Sequence, residues 1–199
     1  MGLTSLRYLP ASRGTLLKLR RQLELAKRGK SVLEMRRDQL VKEIFTLIDR
    51  LKERPKIEEK YIKALEDLSL LRLKRGEVEF FSIVSLVRPP VLEVLAISIE
   101  GVSVPQIKIL RKPDYSLVKD PEYRTLLENA WQVIEELIEV TNIEIAVEKL
   151  CAQLSYINRV VNSLEENFIP KLEETIRYIG EKIEEEMLEE FVRLKNIAR

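Results

Sequence analysis

The sequence predicts a mainly α-helical protein: a long antiparallel two-helix coiled coil formed by the N- and C-terminal helices, with a small central lobe containing a β-hairpin. Three observations predict it. Apolar residues recur every three or four positions toward the C-terminus, at Leu164, Phe168, Leu172, Ile176, Ile179 and Ile183, which is one stripe on a helix of 3.6 residues per turn. A second stripe of the same period fills the N-terminal quarter. Between them the texture changes, with Pro89, Pro90, Pro105 and Pro113 set among β-branched residues. A stripe that runs uncapped past ordinary helix length in a charged helix favours a coiled coil. The one comparable helix lies at the other end of the chain. The expected boundaries are 1–75 for the first helix, 76–120 for the lobe and 121–199 for the second helix, together one structural unit.

Charge supports the pairing. The 199 residues carry a net charge of +1, with 34% charged and 6% aromatic side chains, a balance suited to a narrow core. Residues 1–50 hold 12 Lys/Arg against 5 Asp/Glu, whereas residues 121–199 hold 9 against 17. The two ends therefore attract each other.

Residues 1–10 read as loose or extended, because Pro10 disfavours helix before it. Ser12 is a helix N-cap. The seam then runs through positions 16, 19, 23, 26, 30, 33, 37, 40, 44, 47 and 51, broken only by Lys30 and Arg37. Polar residues in a seam can fix its register. Pro55 predicts a kink or break near Arg54, after which the stripe resumes at Ile57, Tyr61, Ala64, Leu68 and Leu71. Gly76 follows Arg72, Lys74 and Arg75 as a helix stop. Phe80–Val87 fits strand or short helix equally. Val94–Ile99 and Val102–Val104, joined at Glu100-Gly101, read as a hairpin whose second strand extends toward Leu110.

Asp120-Pro121 opens the second long helix as an N-cap followed by proline at the first helical position. It carries Leu126, Ala130, Val133, Leu137, Val140, Val147, Leu150, Leu154, Ile157 and Val161. Pro170 is expected to kink it, and the stripe to continue to Phe191 and Leu194. Setting the first helix start opposite the chain end makes paired positions sum to about 210, which brings Gly29 toward Gly180 in a close approach.

Most site chemistry is excluded. The chain has no histidine and one cysteine, so an intrachain disulfide, a typical structural zinc site and any His-dependent triad are ruled out. Cys151 falls beside the stripe residues Leu150, Leu154 and Ile157 and reads as a small buried core residue. Gly29-Lys30-Ser31 imitates the end of a phosphate-binding loop. That loop needs another glycine where Glu24 stands, and a preceding strand. The clusters Glu135-Glu136-Glu139, Glu184-Glu185-Glu186 and Glu189-Glu190 read as solvated faces rather than acid/base pairs. No catalytic, cofactor or metal residues are expected. There is no secretory signal, spanning segment or myristoylation pattern, so a soluble intracellular chain without direct membrane insertion is expected.

Leu16-Leu17-Lys18-Leu19, Leu25-Ala26-Lys27-Arg28-Gly29 and Arg36-Arg37-Asp38-Gln39-Leu40 resemble the N-terminal helix of the D subunit family, the central-stalk rotor of V-type and archaeal A-type rotary ATPases. Gly101-Val102-Ser103-Val104-Pro105 resembles its middle segment. Asn162, Leu164-Glu165, Ile169-Pro170, Leu172, Thr175-Ile176 and Tyr178-Ile179 resemble its C-terminal stretch, and Phe191-Val192-Arg193-Leu194-Lys195 its basic finish. The resemblance spans nearly the whole chain and departs from the family in a short, uncharged finish before Arg199.

The resemblance implies a non-catalytic, cofactor-free rotor shaft. Its helix ends would enter a hexamer of catalytic and regulatory subunits. Its lower part would meet the small F subunit of the stalk and a funnel-shaped subunit resting on the membrane ring. Rotation would couple ATP synthesis or hydrolysis to proton or sodium movement, at the cytoplasmic side of the cell membrane. On charge and position, Lys18, Arg20, Arg21, Lys27, Arg28, Arg193 and Lys195 are the expected partner contacts. The lobe Val91–Leu110 is expected to modulate activity or bind neighbours. The alternatives are a free prefoldin-like coiled-coil chaperone or adaptor, and a nucleic-acid-binding arm. The charged tips disfavour the first. The near-neutral total and the absence of basic-aromatic interleaving disfavour the second.

Overall fold

The computed structural model describes residues 10–197; the extended segment expected before Pro10 lies outside them. The elements run α1 (Arg13–Leu51), α2 (Arg54–Arg75), α3 (Glu77–Val84), β1 (Val91–Ile99), β2 (Val102–Arg111), α4 (Pro121–Ser163), a π-helical turn (Leu164–Phe168) and α5 (Ile169–Ile197). The chain forms two compact units, one of residues 1–39 with 154–199 and the other of residues 40–153.

In the first unit, Ser12 caps α1: its Oγ accepts the Thr15 backbone N–H at 3.1 Å. Leu19, Leu172 and Ile179 are buried together, flanked by Leu16, Leu23, Phe168, Ile176 and Ile183. These are the predicted seam positions of both helices. The ion pairs Lys27–Glu173 at 2.6 Å and Lys30–Glu165 at 3.0 Å run in opposite chain directions, so the helices are antiparallel.

The register differs from expectation. A sum of 210 would set Lys27 opposite residue 183, but it meets Glu173, nearly three turns (~10 residues) away. That sum requires flush helix ends. Instead Arg13 reaches Met187, and α5 runs on past the start of α1. Gly29 and Gly180 consequently make no close approach, since a Cβ built on either meets nothing within 4 Å.

Pro170 acts one turn upstream of itself. It has no N–H for the Glu166 carbonyl, and its ring crowds that turn. The helix responds with π-type bonding, in which the Ile169 N–H reaches the Leu164 carbonyl, a common cause of bends.

In the second unit, Pro55 sits in the first turn of α2, where its missing N–H costs nothing. The break therefore falls at Lys52-Glu53. The predicted stripe Ile57, Tyr61, Ala64, Leu68 and Leu71 is withdrawn from solvent. Arg54–Glu144 at 2.8 Å, Lys60–Glu136 at 2.7 Å and Lys74–Glu122 at 2.8 Å lie antiparallel between α2 and α4. Gly76 ends α2 at φ 86°, a conformation that suits glycine.

The ambiguous segment 80–87 resolves as helix: α3 lays Phe80 and Ile83, with Val87 just beyond its end, against the buried Leu71, Val118 and Tyr123. The hairpin has the predicted two-residue turn, with Glu100 at φ 47° and Gly101 at φ 72°, the signs of a type I′ turn. It pairs Ile99 with Val102 and Val94 with Ile107. Asp120 caps α4 by accepting the Glu122 N–H at 2.9 Å.

Candidate partner-binding end

The seven cations singled out in the sequence all belong to the first unit and all are exposed. They are not equivalent. Lys27 is engaged with Glu173, Arg28 with Glu24 at 2.5 Å, and Arg193 with Glu189 at 3.4 Å. Lys18, Arg20, Arg21 and Lys195 form no ion pair among the described residues. On α1 Lys18 and Arg21, three residues apart, share a face, and Arg20 is turned away from Lys18.

The more informative feature is one that charge counting missed. Beyond the contact between Arg13 and Met187, α5 exposes Leu188, Phe191, Val192, Leu194 and Ile197, with Phe191 67% and Ile197 82% accessible. The stripe was expected to continue to Phe191 and Leu194, and it does, but among the described residues nothing covers it. The sequence carried no signal for it, because with flush helix ends the stripe of the C-terminal helix meets α1 along its whole length.

Lys30 explains the break in the seam. It is 22% exposed and lies between Glu165 and Glu34. Its hydrogen bond to Glu165, reinforced by the charges of both carboxylates, holds its pKa above the ordinary 10.5. The phosphate-loop imitation at Gly29-Lys30-Ser31 is mid-helix, with its lysine already occupied.

Two expectations are corrected. Cys151 is exposed, not a core residue. Leu150 takes the seam position and is fully buried, and one residue further turns the side chain about 100° around the helix. Glu135 and Glu136 do not form a merely solvated face: Glu135 accepts from Lys112 at 2.9 Å and from the Trp131 indole N–H at 2.6 Å, and Glu136 accepts from Lys60.

Among the described residues no group of acidic or cysteine side chains is placed to hold a metal. None of the helices described is long and apolar enough to cross a membrane. The arrangement offers the surfaces of an assembly component. In the first unit two antiparallel helices carry a projecting apolar and basic end; in the second a β-hairpin is held on α4 through Asn142.

That class is made specific by comparison. The chain matches the family of the ATP synthase D subunit over residues 15–199, and it belongs to that family. It is 35% identical to the A-type ATP synthase D subunit of Archaeoglobus fulgidus, across 94% of both chains. It is 33% identical to that of Pyrococcus furiosus, across 94% of this chain and 91% of the relative. Identity to the Thermococcus sibiricus protein of the same name is 30%, across 98% and 95% respectively.

Proposed function

We propose that this chain is the central rotor shaft of an A/V-type ATP synthase, coupling ATP synthesis or hydrolysis in the catalytic hexamer to proton or sodium transport through the membrane ring. It performs no chemistry itself. It acts peripherally at the cytoplasmic face of the membrane. Its partners are the catalytic and regulatory subunits, the small F subunit of the stalk and the funnel-shaped subunit on the ring.

The observation that carries this reading is the projecting end of α5, where a helix pair narrows to one helix with apolar side chains beside Arg193 and Lys195. A shaft end turning inside a ring must offer different surfaces to successive subunits, because only differential contacts shift conformational populations. A broad apolar sector that holds Lys195 within it and leaves Arg193 on the remaining side supplies that asymmetry. Lys18, Arg20, Arg21 and Lys195 are the cations most available for partner contacts, ahead of Lys27, Arg28 and Arg193, which already have acidic neighbours. No bound nucleotide is required of the shaft.

The test is native mass spectrometry of the chain mixed with the catalytic hexamer of a related A-type enzyme, with ATPase rate read in the same samples. One copy per hexamer and a changed rate are expected. Phe191→Asp/Leu194→Asp should abolish binding, and neutralising Lys18, Arg20, Arg21 and Lys195 together should weaken it. Unchanged assembly and coupled activity in both variants would sink the tip assignment.

The same exposed apolar end is what a client-binding chaperone would present, so that reading keeps one supporting observation. It predicts suppression of aggregation of denatured clients, with no stoichiometric hexamer complex.

A further inference from the structure

The apolar seam of the C-terminal helix changes phase once. Upstream it repeats every seven residues, through Leu154, Val161 and Phe168 and through Ile157 and Leu164, as a coiled-coil seam does. Downstream the sevens return, from Leu172 to Ile179 and from Ile176 to Ile183. Between the two sets the step is eight, from Leu164 to Leu172 and from Phe168 to Ile176. The helix therefore holds one residue more than its heptads need. Its partner does not: α1 repeats by sevens through Leu16, Leu23, Lys30 and Arg37 and through Leu19, Ala26 and Leu33 without a break.

In an unbroken α-helix the extra residue would turn everything beyond it by about 100°. The upstream sevens, counted on, fall at Lys171, Thr175, Tyr178 and Lys182. Yet Leu172 and Ile179 are buried with Leu19, and Ile176 and Ile183 pack against them, whereas Lys171, Tyr178 and Lys182 are exposed. The π turn Leu164–Phe168 lies at the eight-residue steps, and a π turn takes up one residue more than an α turn. A turn one heptad earlier would bring Glu165 into the seam, and one heptad later Lys171. α1 meets the turn with Lys30, one of the two polar positions in its own seam, whose ammonium reaches Glu165 at 3.0 Å.

We propose that Leu164–Phe168 is a phase-setting joint. It absorbs one inserted residue and thereby sets which face of α5 meets α1, and with it the direction in which the projecting end of α5 presents its apolar side chains. The phase of the seam requires the turn; Pro170 fixes its place. The joint is a property of the chain by itself and does not rest on the rotor reading.

The test compares one-residue deletions in the full chain, in a Cys151→Ser background with Lys27→Cys and Glu173→Cys, by thiol cross-linking and thermal melting. Deleting Asn167 together with Pro170→Ala turns the joint into plain α-helix with every seam residue still in place. That chain should cross-link at the parent rate and melt no lower than Pro170→Ala alone. Deleting Arg177 displaces Ile179 and Ile183 or, if the π turn straightens to rescue them, Leu172 and Ile176. It should shift melting of the first unit sharply downward. Pro170→Ala by itself should keep the parent cross-linking rate, because the seam still demands the turn. Two deletions of equal effect, whether both are tolerated or both are damaging, overturn the proposal. So does an Asn167 deletion that fails to fold, or a Pro170→Ala chain that loses the cross-link between 27 and 173.

Discussion

The two compact units hold their helices together in different ways. In the first, the seam between α1 and the C-terminal helix is a single file of apolar residues, centred on Leu19, Leu172 and Ile179, with Lys27–Glu173 and Lys30–Glu165 alongside. In the second, the helices carry extra layers. α3 closes over Leu71 and Tyr123, and Asn142 grips the outer edge of β2 by accepting the Ile107 N–H at 2.7 Å and donating to its carbonyl at 2.9 Å. A ladder of ion pairs ties α2 to α4. The first unit thus has one row of support and the second several. Local stability tracks buried apolar contact, so the first unit should open first, leaving the broader unit folded.

The largest effects test that ordering. Leu172→Ala, in the narrow seam, should cost about 2–5 kcal/mol and lower an early melting step. Leu150→Ala, equally buried but in the second unit, should cost a similar amount and lower a later step. Calorimetry in which both shift one shared transition would break the comparison. Next in size, Asn142→Leu strands the Ile107 backbone groups and should cost about 1–3 kcal/mol locally. Hydrogen exchange should then quicken in β2 while the first unit stays as protected as before.

A smaller effect concerns acid. Hydrogen bonds from Lys74 and Arg75 hold the Glu122 carboxyl below its ordinary 4.5, and the Ser116 N–H holds Asp114 below its ordinary 3.8. A depressed carboxylate stabilises fully above its unfolded value, and that contribution is lost as pH falls through the folded one. The second unit should therefore lose stability progressively below pH 4.5, and Glu122→Gln should flatten that slope in thermal melts taken across the acid range.

Lys30→Leu should change melting little, because an apolar residue fits the seam. It should, however, relax register. Cysteines at 27 and 173, joined by a short thiol cross-linker in a Cys151→Ser background, should link rapidly with Lys30 present and more slowly and incompletely without it. Smallest of all is Tyr123→Phe. The Tyr123 hydroxyl is buried with no hydrogen-bond partner among the described residues, and burial pushes its pKa up. Removing it should leave the melting temperature unchanged or slightly raised; a clear drop would reveal a partner for that oxygen.

Much of this arrangement was legible in the chain because it is written in periodicity. The seam positions of both helices, the resumed stripe at Ile57–Leu71, the Gly76 stop, the Glu100-Gly101 turn and the Asp120 cap each depend on neighbours in sequence, which local chemistry determines. What was not legible depends on distant partners. Register is set by which residues meet across the seam, and flush helix ends, the simplest arrangement, allow neither the slip at Lys27–Glu173 nor the overhang of α5. Cys151 sits one residue off the seam, a displacement too small for periodicity to resolve. Glu135 looked solvated because nothing in the sequence ties Lys112 to it.

The exposed thiol of Cys151, the one cysteine in the chain, offers the most direct test of the rotor proposal. With a bead attached there, the chain would be assembled into a catalytic hexamer fixed to a surface and observed singly while ATP is supplied. The account predicts stepwise rotation in one direction that stops when ATP is withdrawn. A bead that stays still while the same hexamers hydrolyse ATP would contradict it.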